Sequence, residues 1–95
     1  MNVLVEYKDC WESQYQNVIM IDTDKLDKNN PTHVMVLESI NKAIADEDKS
    51  HIVNDDVYKA IEIAMEDAYD GKDSFILPDV KGVKVDEHID LWYNE

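Results

Sequence analysis

The side chains best suited to chemistry in this sequence are three histidines, one cysteine and 22 acidic residues. Asp86, His88 and Asp90 alternate along one short segment, and an imidazole between two carboxylates could bind a divalent metal ion or transfer a proton. The same alternation places all three on the polar face of a strand, where such side chains are usually only solvated. We therefore expect no catalytic residue and no metal ligand in this group.

A second group of acids resembles a calcium-binding loop. Asp22 and Asp24 have the alternate spacing of the first ligands in an EF-hand, which also requires a central glycine and a closing glutamate. Leu26 occupies the third ligand position, Asp27 stands in place of the glycine, and His33 stands in place of the glutamate. The pattern does not predict an EF-hand, and a metal-dependent enzyme or sensor is the third-ranked interpretation of the chain.

Nothing else in the sequence predicts an enzyme or a cofactor. Cys10 lies between Asp9 and Glu12, whose carboxylates disfavour a reactive thiolate, and Gly71 and Gly82 belong to no phosphate-binding loop. A lone cysteine forms no disulfide within the chain and is typical of a reducing compartment. There is no apolar run of membrane-spanning length. We expect a soluble, cytoplasmic protein, located in the host cytoplasm if the protein is viral.

The charge of the chain is its most unusual property. Nine basic residues, all lysine, oppose the 22 acids and leave a formal net charge of −13 at pH 7. Binding to nucleic acid or to an anionic membrane requires a basic surface, so both are unfavourable here. A basic protein partner is favoured electrostatically. The alternative is that the acidity only keeps the protein soluble.

The pattern of apolar residues predicts one α+β domain over residues 1–95. Short apolar runs at 2–7 and 17–21 indicate an N-terminal β-hairpin, and runs at 74–78 and 83–93 indicate a second hairpin with a turn between them. Between the hairpins, two segments have helical periodicity. The order ββααββ predicts a small antiparallel sheet packed on one face by two helices.

Both predicted helices carry clear start signals. Asn30 is a favourable N-cap before Pro31, and Asn54 is a favourable N-cap before the second helix, which Gly71 should end. Residues 45–53 are expected only to link the two helices. The apolar stripes of both helices should face the sheet.

The outer side of the second helix is the best candidate for a functional surface. Acidic residues three or four positions apart lie roughly 5–6 Å from each other on a helix, a spacing that resembles neighbouring phosphates of a nucleic-acid strand. Ile63 points into the middle of this acidic face, as an apolar contact in a binding surface would. The predicted partner-binding residues are Asp55, Asp56, Glu62, Ile63, Glu66, Asp67, Asp70, Asp73 and Trp92.

In size, charge and lack of catalytic motifs the chain resembles the small acidic proteins, often phage-encoded, that inhibit nucleases, restriction enzymes, CRISPR effectors or repair enzymes by imitating DNA. That resemblance implies a non-enzymatic inhibitor or regulator. Its partner would be a basic nucleic-acid-binding protein, a class that includes nucleases, restriction and CRISPR effectors, repair enzymes and transcription factors. The alternative is an interaction module, such as an antitoxin, an adaptor or a homodimer, in which exposed apolar residues form the interface.

Overall fold

A computed structural model describes residues 1–9 and 16–93 of the chain. Cys10, which the sequence predicts to be unreactive, lies outside these residues. Within them the chain forms a mixed five-stranded sheet and two α-helices, so the α+β class is confirmed. Neither of these helices is long and apolar enough to cross a membrane. The elements are β1 (Asn2–Asp9), β2 (Gln16–Asp22), α1 (Pro31–Ala45), β3 (Ser50–Val53), α2 (Asp55–Tyr69), β4 (Ile76–Leu77) and β5 (Glu87–Tyr93).

The predicted N-terminal hairpin is confirmed. β1 and β2 pair antiparallel, with Val3 opposite Ile21 and Val5 opposite Ile19. All four of these side chains are buried. Because alternate residues of a strand point to opposite faces, this register places these four side chains on one side of the sheet and the paired Leu4 and Met20 on the other.

Both helices begin where the sequence predicts. The Asn30 side chain accepts a hydrogen bond from the Thr32 backbone N–H at 3.0 Å, and Pro31 is the first residue of α1. The Asn54 side chain accepts from the Val57 N–H at 3.0 Å. Each cap satisfies a donor that the first helical turn leaves unpaired. After α2, Gly71 adopts φ = +76°, a left-handed conformation that glycine takes without steric cost.

The predicted second hairpin is wrong, and the sheet is mixed rather than antiparallel. The strand order is β3-β5-β1-β2-β4. β4 has two residues and pairs with β2, whereas β5 lies between β1 and β3 and runs parallel to both. The segment after β4 returns to β1 just before β5 begins. There the Asp86 N–H donates a hydrogen bond to the Asn2 carbonyl at 2.8 Å. The apolar runs were correctly located, but their pairing partners are distant in the sequence.

The strand β3 was missed, because its four residues are too few to show a period. They lie within the segment that the sequence assigns to a link between the helices. Lys49, which precedes the strand, has φ = 55°, and its carbonyl accepts a hydrogen bond from the Asp90 N–H at 2.7 Å. This contact joins the start of β3 to the middle of β5.

The two faces of the sheet differ in chemistry. One face carries the buried side chains of Val3, Val5, Ile89 and Leu91, which form a single core cluster with the inner residues of α1 and α2. This confirms that both helices pack on one face. No helix formed by residues 1–9 and 16–93 packs on the opposite face, which we call the helix-free face. The alternate positions of β1 and β5 place there Glu6, Lys8, His88, Asp90 and Trp92.

Two isoleucines of α2 provide a test of this packing. Ile61 is fully buried, whereas the side chain of Ile63, two residues later, is 60% exposed. Ile61→Ala should lower the free energy of unfolding by about 2–5 kcal/mol, because it leaves a cavity in the core. Ile63→Ala, the matched control, should change it by less than about 0.5 kcal/mol. Urea denaturation measures both, and equal effects would contradict the orientation of α2.

Candidate functional site

The outward face of α2 presents acidic side chains because the opposite face is fixed by the core. Val57, Ile61, Ala64 and Ala68 are buried against the sheet, at the spacing of one helical stripe. The helical period then directs the predicted acidic residues away from the core. Of the predicted partner-binding residues in and just after the helix, those that are exposed are Asp55, Asp56, Glu62, Ile63, Glu66 and Asp70. Asp67 is half-buried.

Most of these carboxylates have no counter-ion in the part of the chain that the structure describes. Lys59 is the only basic residue in α2, and its Nζ lies 3.6 Å from Asp55 Oδ2. Across residues 1–9 and 16–93, no ion pair and no side-chain hydrogen bond involves the remaining acids of the face. They are Asp56, Glu62, Glu66, Asp67 and Asp70. Their mutual repulsion therefore weakens the helix without compensation from the fold.

Asp55 differs from its neighbours because it helps to fix α2 to the sheet. The Tyr93 hydroxyl, at the end of β5, donates a hydrogen bond to Asp55 Oδ1 at 2.5 Å. This bond, assisted by the nearby Lys59 ammonium, lowers the pKa of the Asp55 carboxyl below its ordinary value. The Tyr93 ring in turn packs on Tyr58, with 3.9 Å between the ring centroids. Asp55 belongs to the acidic face but is already engaged within the fold.

Ile63 lies in the acidic face, as the sequence predicts. Its neighbours one helical turn away are Lys59, Ala60, Glu66 and Asp67. Its exposed side chain forms part of the wall of a cavity of about 430 Å³, which lies between α2, the start of α1 and the segment before β4. The lining residues are Lys25, Asn30, Thr32, His33, Ala60, Ile63, Ala64, Asp67, Asp73, Ser74 and Phe75. We call this cavity the α2 cleft.

Several polar groups in the cleft wall are satisfied by the fold. The Asn30 side chain caps α1, and the Ser74 hydroxyl donates to the Ala64 carbonyl at 2.8 Å. His33 Nδ1 accepts from the Asp27 N–H at 2.9 Å. By contrast, the carboxylates of Asp67 and Asp73 have no hydrogen bond or ion pair with any of the described residues. The cleft is thus a partly apolar cavity whose two acids form no ion pair with the described residues, although Lys25 also lines it.

The cleft could not be foreseen from the sequence. Ile63, Asp67 and Asp73 are predicted site residues that it brings together, but His33 and Phe75 reach it only through the packing of distant segments. Those two rings meet edge to face, with centroids 5.2 Å apart. Because they are 42 positions apart in the chain, no local pattern links them.

Trp92 is not part of this surface, contrary to the sequence prediction. The inward neighbour Leu91 is buried under the helices, so Trp92 points to the helix-free face of the sheet. There the Lys8 ammonium lies 4.8 Å from the centre of the Trp92 ring. Tyr93 is the aromatic residue of β5 that contacts α2, through Asp55 and Tyr58.

The acids at the end of β2 and in the loop after it form hydrogen bonds with nearby backbone groups. Asp22 Oδ1 accepts from the Asp24 N–H at 3.1 Å, and Asp27 Oδ1 accepts from the Asn29 N–H at 2.9 Å. Such side-chain bonds stabilise turns. They account for these two acids without a bound ion.

Comparison of the chain with protein-family models, curated proteins and solved structures finds no match.

The Asp55–Tyr93 bond gives a prediction for titration. Tyr93→Phe removes the donor, so the pKa of the Asp55 carboxyl should rise toward the ordinary aspartate value of about 3.9. In the native protein the lowered pKa contributes stability above the unfolded-state pKa, and that contribution is lost as the pH falls through the folded-state pKa. Carboxyl ¹³C chemical shifts measured against pH follow Asp55 directly. An unchanged midpoint in Tyr93→Phe would show that the hydroxyl does not hold this carboxylate.

Proposed function

We propose that this protein is a non-enzymatic inhibitor or regulator that uses the acidic face of α2 to occupy the basic site of a nucleic-acid-handling protein. The observation that carries this proposal is the set of unpaired carboxylates on a rigid helix. Asp56, Glu62, Glu66 and Asp70 are exposed and have no counter-ion within the described part of the chain. A basic partner would supply the missing cations.

The electrostatic argument concerns both association and specificity. Carboxylates arranged along a helix create a directional negative field that accelerates encounter with a positively charged groove. A groove that binds phosphates already holds lysine and arginine side chains at a similar spacing. The fixed helix offers them carboxylate partners without a backbone-ordering cost, because its inner stripe is packed in the core. The surface therefore fits competition with nucleic acid for one site.

The α2 cleft gives this binding mode an anchor. We propose that it receives a lysine or arginine side chain of the partner, whose aliphatic stem would lie along Ile63 and Ala60. The cationic end would reach Asp67 and Asp73, the two acids of the cleft without an internal partner. Lys25 also lines the cleft, and its positive charge would partly offset the attraction of the two carboxylates for a cation. An anchored side chain would prolong the complex, while the open helix face would speed its formation.

A second candidate function is supported by a different surface. Ile52 and Val18 are 60% and 52% exposed, and strand alternation places both on the helix-free face of the sheet. Such residues would suit an interaction module with an apolar interface, including a homodimer. Ionic strength separates the two functions, because an apolar interface responds weakly to added salt.

The charge-reversed variant Glu62→Lys/Glu66→Lys/Asp70→Lys tests the proposed surface. Its binding to a panel of host nucleases, restriction and CRISPR effectors and repair enzymes should weaken on the order of 100-fold at low salt, because attraction becomes repulsion. The matched control is Glu38→Lys/Glu47→Lys/Asp48→Lys, which changes the net charge equally but alters α1 and the turn after it. Calorimetry and competition with duplex DNA measure the effect. Equal weakening by both variants would rule out α2 as the contact.

A separate variant tests the cleft. Asp67→Asn/Asp73→Asn should raise the dissociation rate of the same complex about tenfold, because the anchored cation loses its partners. Glu47→Gln/Asp48→Asn removes the same number of charges from an exposed turn and should leave the dissociation rate unchanged. Surface plasmon resonance gives both rates. A lower association rate with unchanged dissociation would assign Asp67 and Asp73 to long-range attraction and contradict the anchor.

A further inference from the structure

The helix-free face of the sheet brings together three side chains that can bind a metal ion. In the parallel pairing of β1 with β5, Glu6 lies opposite Asp90, and His88 precedes Asp90 by two residues on the same face. One ligand atom from each of the three lies within 4.8 Å of the others. His88 and Asp90 are separated from Glu6 by more than 80 positions in the sequence, so only the fold creates this group.

We infer that Glu6, His88 and Asp90 form a binding site for a divalent transition-metal ion of the zinc type. An imidazole nitrogen and two carboxylate oxygens are a ligand set that Zn²⁺ accepts, with bonds of roughly 2.0–2.2 Å. Two ligands of a tetrahedral ion are then roughly 3.4 Å apart. His88 Nε2 and Glu6 Oε2 lie 3.5 Å apart, so little movement is needed. A nitrogen ligand also favours zinc-type ions over Ca²⁺ and Mg²⁺.

Two features besides ligand type support this site. A cavity of about 210 Å³ opens at the three residues, with Lys49 and Ile89 completing its wall. Moreover, Glu6 and Asp90 place like charges directly opposite each other on neighbouring strands, an arrangement that is destabilising unless a cation lies between them. Both carboxylates are about 70% shielded from solvent, which strengthens their interaction with a bound cation.

Lys8 is the internal competitor for this position. Its Nζ lies 3.6 Å from Asp90 Oδ1 and 3.9 Å from Glu6 Oε2. A divalent ion would bring twice the charge of this ammonium to the two carboxylates. When the ion binds, the ammonium can stay against the Trp92 ring, 4.8 Å away. The lysine thus lowers the affinity of the site without closing it.

Asp86 is not part of the site, although the sequence groups it with His88 and Asp90. Its Oδ2 accepts a hydrogen bond from the Asn2 N–H at 2.7 Å, and its Oδ1 lies 4.0 Å from the Lys84 ammonium. Glu6 supplies the third ligand instead. The site is independent of the acidic face of α2 and revises the expectation of no metal ligand.

Titration of the metal-free protein with Zn²⁺ in a calorimeter tests the inference. We expect one saturable site that is lost in His88→Ala and weakened at least tenfold in Asp90→Asn. His51→Ala is the matched control, because His51 is also in a strand but lies on the helix-facing side, and it should bind as the native chain does. Lys8→Met should tighten binding about fivefold or more, because it removes a competing positive charge.

Fluorescence gives a second measurement that locates the ion. Trp11→Phe leaves Trp92 as the single tryptophan of the chain, and Ni²⁺ or Co²⁺ at this site should quench its emission saturably. Zinc binding that is equally strong in native protein, His88→Ala and Asp90→Asn would mean only diffuse attraction to an acidic chain and would overturn the site. So would the absence of saturable quenching in Trp11→Phe, or a Lys8→Met variant that binds no more tightly than the native protein.

Discussion

The parallel insertion of β5 between β1 and β3 is the constraint on which the rest of the molecule depends. This one register places Val5 beside Ile89 and Tyr7 beside Leu91 on the helix-packed face. The same register places Glu6 beside Asp90 on the opposite face. Because the side-chain period of a strand is two, a slip of one residue would bury the charged set and expose the apolar set. The free energy of core formation therefore also fixes the relative positions of the charged residues.

The helix-free face of the sheet and the outward face of α2 differ in how their carboxylates are neutralised. On the helix-free face the carboxylates of Glu6 and Asp90 lie close together but have Lys8 as an internal counter-ion. On α2, Glu62 and Glu66 are one helical turn apart, and the one lysine of the helix lies 3.6 Å from Asp55. In the first arrangement the Lys8 ammonium reduces the repulsion between the two carboxylates. The second arrangement weakens the helix, and no described residue forms an ion pair with Glu62 or Glu66.

Local signals explain what the sequence could predict. The caps Asn30 and Asn54 and the helical stop at Gly71 act over a few residues, so the helix starts and ends are readable without tertiary information. The first hairpin is likewise a pairing of neighbours. By contrast, the place of β5 depends on pairing across some 80 positions, and β3 has only four residues. The local pattern predicts a hairpin between consecutive apolar runs. That prediction is wrong for β4 and β5, because β4 has only two residues and pairs with β2 instead.

The same distinction separates the predicted from the unpredicted site residues. The acidic face of α2 follows from helical period alone, so Glu62, Ile63 and Glu66 were located correctly on its outer side. Trp92 was assigned to that surface from its nearness to acids in the sequence, but strand alternation directs it through the sheet to the other side. The α2 cleft and the group formed by Glu6, His88 and Asp90 require contacts between distant elements. Short-range pattern can therefore identify a charged face, while cavities and ligand groups depend on topology.

Charge and packing are separable in α2, and this separation makes a functional role for its acidity physically reasonable. The helix is held by Val57, Ile61 and Ala64 in the core and by its Asn54 cap, none of which needs a charged outer face. Added salt screens repulsion among Glu62, Glu66 and Asp70, which favours the folded state, yet it also screens attraction to a basic partner. If the acids served only the isolated fold, exchanging some for lysine would relieve the repulsion at all ionic strengths. The packing that holds α2 therefore does not require these acids, and the proposed basic partner would give them a role.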